Sequence, residues 1–222
     1  MTDIPLNEAP SALRPRGAVV VAHPDDETLW CGGYILAHPE VSWRIVTICR
    51  ADDSDRAPRF RRLLSRLDAE GEMAKLDDGP DQTPLPAGQV QETIGRLLAG
   101  SRYDLILTHG PAGEYTRHRR HEECCKGVVE LWRSGAIDTR QLWMFAYEDG
   151  GRTYLPRVRG DADRRCLLAE LVWLEKLKII TDLYGYGPDT WETRTTPREE
   201  GFWCFDSVQT AIERIRPMEQ QL

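Results

Sequence analysis

His23-Pro24-Asp25-Asp26-Glu27 puts an imidazole and three carboxylates side by side. They follow the apolar run Ala18-Val19-Val20-Val21-Ala22, which predicts a short strand buried on both faces, and they open 28–37, which predicts a helix. Four ionisable groups therefore fall at the C-terminal end of a strand, where open α/β sheets carry their chemistry. His23 and Asp26 lie three residues apart across a turn into a helix, so both are placed to reach one metal ion, with Asp25 beside it. Helix capping is the plainer reading, since a carboxylate there satisfies free N–H groups and suits the dipole. Capping accounts well for one acid, less well for three, and not for the histidine.

A second cluster repeats the arrangement. Tyr103-Asp104-Leu105-Ile106-Leu107-Thr108 predicts another strand and runs into His109; Gly110, Pro111 and Gly113 then mark a loop. His118 and His121 stand at its end, as a helix begins near 119 with Cys124, Cys125, Val128, Val129 and Trp132 on its apolar side. Two histidines and an aspartate would provide three protein ligands and leave a position for water, the composition of a catalytic zinc site. No G-x-G-x-x-G follows the first strand, so a dinucleotide lacks its phosphate cradle, and no G-x-S-x-G supplies a serine nucleophile.

The stretch A-H-P-D-D-E at 22–27, with Thr108-His109, Gly113-Glu114-Tyr115 and the H-x-x-H at 118–121, resembles the LmbE-like (PIG-L) metal-dependent de-N-acetylases. Members deacetylate N-acetylglucosamine-type sugars. The resemblance covers most of the chain: Gly32-Gly33 fits the family's first helix, 176–184 its late helix, and Glu200-Gly201-Phe202 its closing strand. It implies His23, Asp26 and His121 as ligands of Zn²⁺, with Fe²⁺ also suited to such ligands. It implies Asp25 as the general base, taking a proton from water and returning it to the leaving amine, and His118 as a donor to the developing oxyanion. His109 has no assigned role, between a packed histidine and a substrate contact. Arg62 matches a substrate-contacting arginine poorly, because Ser65 replaces the acid that follows it. Glu148, Tyr147, Tyr184 and Trp191 are candidate sugar contacts or ordinary core and loop residues.

One position departs from the family. Arg120 stands where H-P-D-H has an aspartate, so His118 is expected to have a lowered pKa and to need another acceptor, Glu114 or Glu122. The expected result is a slower enzyme, or one whose substrate carries an anion met by Arg119 or Arg120.

The elements that must position these groups follow from periodicity. Strands are predicted at 17–22, 43–49, 73–76, 103–109 and 141–147, alternating with helices at 57–70, around Val90, Ile94, Leu97 and Leu98, and from 119. Such alternation implies one α/β, Rossmann-like domain: a mostly parallel sheet with helices on both faces. Its core is expected within 1–150, and 151–222 is expected to close the site. That last region has a long helix over 161–184 with Leu167, Leu171, Leu174 and Leu177 as a stripe. The segment 185–205, rich in Gly, Pro, Thr and aromatics, is expected to form one wall of the pocket, and Asp206 to cap a final helix. Residues 77–88 read as an exposed connection.

Composition fits a soluble globular domain, with 41% hydrophobic and 29% charged residues among 222. A net charge of −7 argues against a nucleic-acid surface. The arginines of 56–66 read as a solvated helix face or as a contact to an anionic part of the substrate. No segment approaches the roughly 20 apolar residues of a membrane span, and the polar N-terminus has no signal-peptide core. Six cysteines without C-x-x-C spacing suggest free thiols in a reducing cytoplasm. The expected activity is zinc-dependent removal of an acetyl group from an N-acetylated amino sugar or glycoconjugate, by a monomer or homo-oligomer. A metal hydrolase of another amide or ester, and an inactive metal- or sugar-binding module, are the alternatives.

Overall fold

The computed structural model describes residues 14–219, so most of the polar N-terminal stretch lies outside the described residues. Seven strands form one sheet: β1 (Arg16–Val21), β2 (Ser42–Cys49), β3 (Glu70–Leu76), β4 (Leu105–Thr108), β5 (Leu142–Phe145), β6 (Arg164–Leu167) and β7 (Glu199–Phe205). Their spatial order is β6-β7-β5-β4-β1-β2-β3. The five strands β1 to β5 are mutually parallel, while β7 and β6 are antiparallel additions at one edge.

Helices cover both faces. α1 (Asp26–Ala37), α2 (Arg56–Leu67) and α5 (Glu170–Lys178), which runs into a π turn at Ile179–Leu183, lie on one side. On the other lie α3 (Ala87–Leu98), α4 (Arg119–Arg133) and α7 (Val208–Glu219); a short α6 (Trp191–Thr195) sits between α5 and β7 along the chain. The central strand shows why its sequence is an unbroken apolar run. Ala18 and Val20 pack with Ile94, Val128 and Ala211, whereas Val19 and Val21 pack with Leu29, Phe60 and Ile180. With no face left to water, no polar alternation survives.

The chain leaves β1 towards β2 and β3, and returns through β4 on the opposite side of β1. This reversal opens a crevice beyond the strand ends. Residues 22–27 and 109–121 meet there.

The last third differs from expectation. There is no single helix over 161–184: Arg164–Leu167 forms strand β6 against β7, and α5 begins only at Glu170. The leucine stripe faces outward, with Leu167 80% and Leu171 81% exposed. The inward face carries Lys176 instead, fully buried, because Glu200 of β7 waits there at 2.7 Å. A buried charge pair decided the rotation of this helix, which a leucine count cannot register. The boundary at 150 is also corrected, since two of the seven strands come from beyond it.

Gly33 explains how α1 comes so near that region. A Cβ there would lie 2.4 Å from Leu168 Cδ1, and the Gly33 and Tyr34 N–H groups donate to Glu200 Oε1 and Oε2, both at 2.7 Å. Cys31, Cys49, Cys124 and Cys125 are buried free thiols. Among the described residues no helix is long and apolar enough to cross a membrane.

Candidate metal centre

The turn after β1 is built around Asp26. Its Oδ2 accepts the His23 N–H at 2.9 Å and its Oδ1 accepts Trp30 Nε1 at 3.1 Å, which fixes the carboxylate at the foot of α1. The same Oδ2 lies 3.0 Å from His23 Nδ1 and 3.3 Å from His121 Nε2, and those two nitrogens are 3.3 Å apart. Three donor atoms thus form a nearly equilateral triangle. Tetrahedral bonds of about 2.0–2.1 Å put neighbouring ligand atoms about 3.3 Å apart, so the triangle has the dimensions of three corners around one cation. The donor set, two imidazoles and a carboxylate, suits Zn²⁺ or Fe²⁺.

Tautomers follow from the surroundings. The Ala22 N–H donates to His109 Nε2 at 2.9 Å, so the lone pair of that nitrogen is already used and His109 carries its proton on Nδ1. That Nδ1 and the Nδ1 of His121 both meet Glu114 Oε2, at 2.9 and 2.6 Å, while Glu114 Oε1 accepts the Gly110 N–H at 2.8 Å. His109 therefore stacks on His121, centroids 3.8 Å apart, as a packed support whose other nitrogen is spoken for. Burial would raise the Glu114 pKa, but His109 and His121 hold it at about 2. Burial would likewise lower that of His121, but Asp26 and Glu114 outweigh it and push the group up to about 10.

Asp25 stands apart from the triangle. Its backbone has φ 111, an unusual conformation for a non-glycine residue, and its N–H donates to Glu27 Oε2 at 3.0 Å. The Tyr186 hydroxyl donates to its Oδ2, and Arg56 Nη1 is 3.5 Å from the same oxygen. Burial and the charge of Asp26 raise the Asp25 carboxyl to about 6 despite Arg56 and Tyr186. Glu27 is buried under it, bonded to Tyr184 and Thr28 hydroxyls at 2.8 and 2.7 Å, and burial pushes it up to about 7.

His118 stacks on His121 at 4.4 Å and meets His23 edge-on at 4.7 Å. Neither expected acceptor reaches it: Glu114 holds the other two imidazoles and Glu122 is bound by Arg117 at 2.7 Å. Its Nδ1 is buried without a hydrogen-bond partner among the described residues. Burial, then His121 and His23, pull its pKa down to about 3, so the ring is neutral. The expected direction holds, but the cause is not a pair of guanidiniums. Arg120 is fully buried and points away, donating to Asp77 O at 2.5 Å, Thr83 O at 2.9 Å and Glu123 Oε2 at 2.6 Å. It clamps the connection at 77–88 and cannot meet a substrate anion.

That clamp brings in a residue the sequence did not single out. Asp78 Oδ1 lies 3.3 Å from His23 Nε2, at ion-pair distance though not hydrogen-bond angle, and Asp78 Oδ2 accepts Arg50 Nε at 2.8 Å. Tyr186 is the other addition, and glycines on either side of it, with Gly185 at φ 78, are its one visible signal. Several expected contacts fall elsewhere. Arg62 is exposed, Tyr147 donates to Trp30 O, Tyr184 is turned to Glu27, and Glu148 pairs with Arg157 and Arg159. Trp191 does line the pocket, with Tyr115, Arg50 and Arg56.

The family model described as PIG-L, GlcNAc-PI de-N-acetylase, matches residues 18–132. The chain belongs to this family. The N,N'-diacetylchitobiose deacetylase of Pyrococcus horikoshii shares its fold with a TM-score of 0.64 at 17% identity, over 86% of this chain and 84% of that one. GalB, the 4-carboxy-2-hydroxymuconate hydratase of Pseudomonas putida, gives 0.57 at 14% identity, over 86% and 95%. Uncharacterized protein L374 of Acanthamoeba polyphaga mimivirus is 22% identical over 59% of this chain, and the match spans 61% of its own length.

Proposed function

We propose that this chain is a zinc-dependent hydrolase that removes the acetyl group from an N-acetylated amino sugar or related small conjugate. The observation that carries the reading is the triangle of His23 Nδ1, Asp26 Oδ2 and His121 Nε2, with sides of 3.0, 3.3 and 3.3 Å, beside a cavity of about 140 Å³ lined by His23, Asp25, Asp26 and His118. His23, Asp26 and His121 would hold the cation. When bound, a divalent metal acidifies water and polarises the acyl carbonyl.

The chain's own residues do the rest. Asp25 takes the proton from water and delivers it to the departing amine, so it must start ionised; Arg56 and the Tyr186 hydroxyl favour that form. His118, kept neutral, retains one N–H to donate to the carbonyl oxygen as negative charge develops there, typically worth about 3 kcal/mol. Glu114 and Trp30 orient His121 and Asp26. Free buried thiols fit a reducing compartment, the cytoplasm.

Metal analysis of purified protein should give about one equivalent of metal per chain, as one mononuclear site requires. The metal-replete protein should release acetate from N-acetylglucosamine derivatives, an assay that also separates hydrolysis from the hydration run on a similar scaffold. His121→Ala retaining full metal occupancy would overturn the ligand set, and absence of acetate across an N-acetyl sugar panel would overturn the activity.

A further inference from the structure

His23 has a second ring nitrogen that the triangle does not use. While Nδ1 faces Asp26 and His121, Nε2 is buried on the other edge of the imidazole, without a hydrogen-bond partner among the described residues. Two further donors stand beside it. Asp78 Oδ1 is 3.3 Å from Nε2, and the Cys49 thiol ends β2 close by. His23, Cys49 and Asp78 each place one donor atom within 4.8 Å of the others. Around one tetrahedral cation, with bonds of about 2.0–2.3 Å, such atoms stand about 3.3–3.6 Å apart, so side-chain shifts on the order of 1 Å close the group.

Three separate constraints assemble this cluster. The Cys49 N–H donates to Ala22 O at 3.0 Å, which holds the ends of β2 and β1 abreast and sets Cys49 next to His23. Asp78 arrives from the connection after β3, which Arg120 draws inward through the carbonyls of Asp77 and Thr83. Arg120 is the residue by which this chain departs from H-P-D-H. The departure that removes an acid beside His118 therefore brings another against His23. His23 and Asp78 also both line the cavity of about 140 Å³, which gives an ion a way in. The Cys49 thiol makes no hydrogen bond among the described residues. Asp78 is more engaged: its Oδ2 meets Arg50 Nη2 at 2.5 Å and its Oδ1 accepts Gln82 Nε2 at 2.9 Å. A cation here works against those bonds and binds more weakly than one in the triangle.

We propose that His23 Nε2, Cys49 Sγ and Asp78 Oδ1 form a second, thiolate-containing metal position that competes with the triangle for His23. Sulfur and imidazole donors select Zn²⁺ and softer cations over Mg²⁺ or Ca²⁺. A neutral imidazole has one lone pair, so the ring serves one cation at a time. Metal in excess then inhibits by drawing His23 away from Asp26 and His121. The position itself rests on no reading of the activity; only the inhibition rests on the deacetylase reading.

The test titrates the full chain, stripped of metal and kept reduced with a phosphine, with Co²⁺. Sulfur bound to Co²⁺ gives an intense near-ultraviolet charge-transfer band, which the triangle, having no sulfur, cannot give. The band should rise beyond the first equivalent, as the thiol proton passes to the buffer. Cys49→Ala, with an unchanged thermal midpoint, should lose this band and keep the visible bands of the first ion. Asp78→Asn, which leaves the cysteine in place, should weaken the band-forming step at least about tenfold. No band at several equivalents of Co²⁺, or a band that survives in Cys49→Ala, overturns the position. Acetate release is assayed separately, and excess Zn²⁺ should inhibit the wild type but not Cys49→Ala. No inhibition of the wild type, or equal inhibition of both, overturns the competition for His23. A Cys49-dependent band without acetate release at any metal level upholds the position and removes the deacetylase reading instead.

Discussion

Glu114 reaches His121 through the ring nitrogen that faces away from Asp26: its Oε2 is 2.6 Å from Nδ1, and that same oxygen is 2.9 Å from Nδ1 of His109. One oxygen thereby accepts the Nδ1–H of both rings and leaves His121 Nε2 as the nitrogen turned to the triangle, where a metal would replace its proton. Glu114→Gln weakens that control, because an amide oxygen carries less negative charge and its NH₂ is the wrong partner for Gly110 N–H. Metal affinity, measured by chelator competition, should fall about 10- to 100-fold. An affinity within twofold of wild type would remove Glu114 from the centre.

Tyr186→Phe tests the proposal that Asp25 is the general base. The tyrosine hydroxyl lowers the Asp25 pKa, acting with Arg56 against the burial that sets it at about 6. The base works ionised, so activity is lost as pH falls through this pKa. Removing the hydroxyl raises the pKa, and the acid limb of kcat/KM should move up by about one pH unit or less, the equivalent of one hydrogen bond. A uniform loss at every pH would mean that Tyr186 only packs. Asp25→Asn should keep the metal and lose about 10²–10⁴-fold in kcat.

Glu27 makes native stability depend on pH. Burial raises its pKa from 4.5 to about 7, so between those values the folded chain binds more protons than the unfolded one. Its contribution to stability therefore falls as pH rises through that window. Glu27→Gln cannot ionise. In denaturant titrations of the metal-free protein, the stability gap should move in favour of the variant by on the order of 1–3 kcal/mol between about pH 5 and pH 8. A gap independent of pH would show that Glu27 titrates normally.

Arg120→Ala should act on the loop at 77–88, not on substrate charge. The side chain is fully buried, and its removal strands the carbonyls of Asp77 and Thr83 and the carboxylate of Glu123. A loss of about 3 kcal/mol is expected, measured by denaturant unfolding. Amide exchange should speed up at 77–83, the stretch that holds Asp78 beside His23. Unchanged stability would contradict the clamp.

What was legible in the sequence had local causes. The run 18–22 shows its burial in its own composition, and the strand-end histidines stand out because imidazoles and acids rarely crowd there without work to do. The three donor atoms that meet in the triangle come from two such clusters. Asp78 was not legible, since the arginine that draws its loop inward lies 43 positions from Asp77 along the chain. Tyr186 reads like any aromatic until Asp25 is seen opposite it. The 161–184 segment misled because a leucine period describes which face is apolar, not which face is turned in, and Lys176 with Glu200 settled the second question.

The contact of Glu200 with the Gly33 and Tyr34 amides bears on how the protein acquires its activity. The helix that begins with Asp26 is secured by a strand made much later, at a separation of 167 positions from Gly33. Closing so long a loop is slow, and the groups it finally seats are those nearest the reaction. A nascent chain still missing 199–205 would have residues 22–37 already synthesised and α1 not yet held by Glu200. Firm seating of the helix that opens the site is thus tied to the arrival of β7.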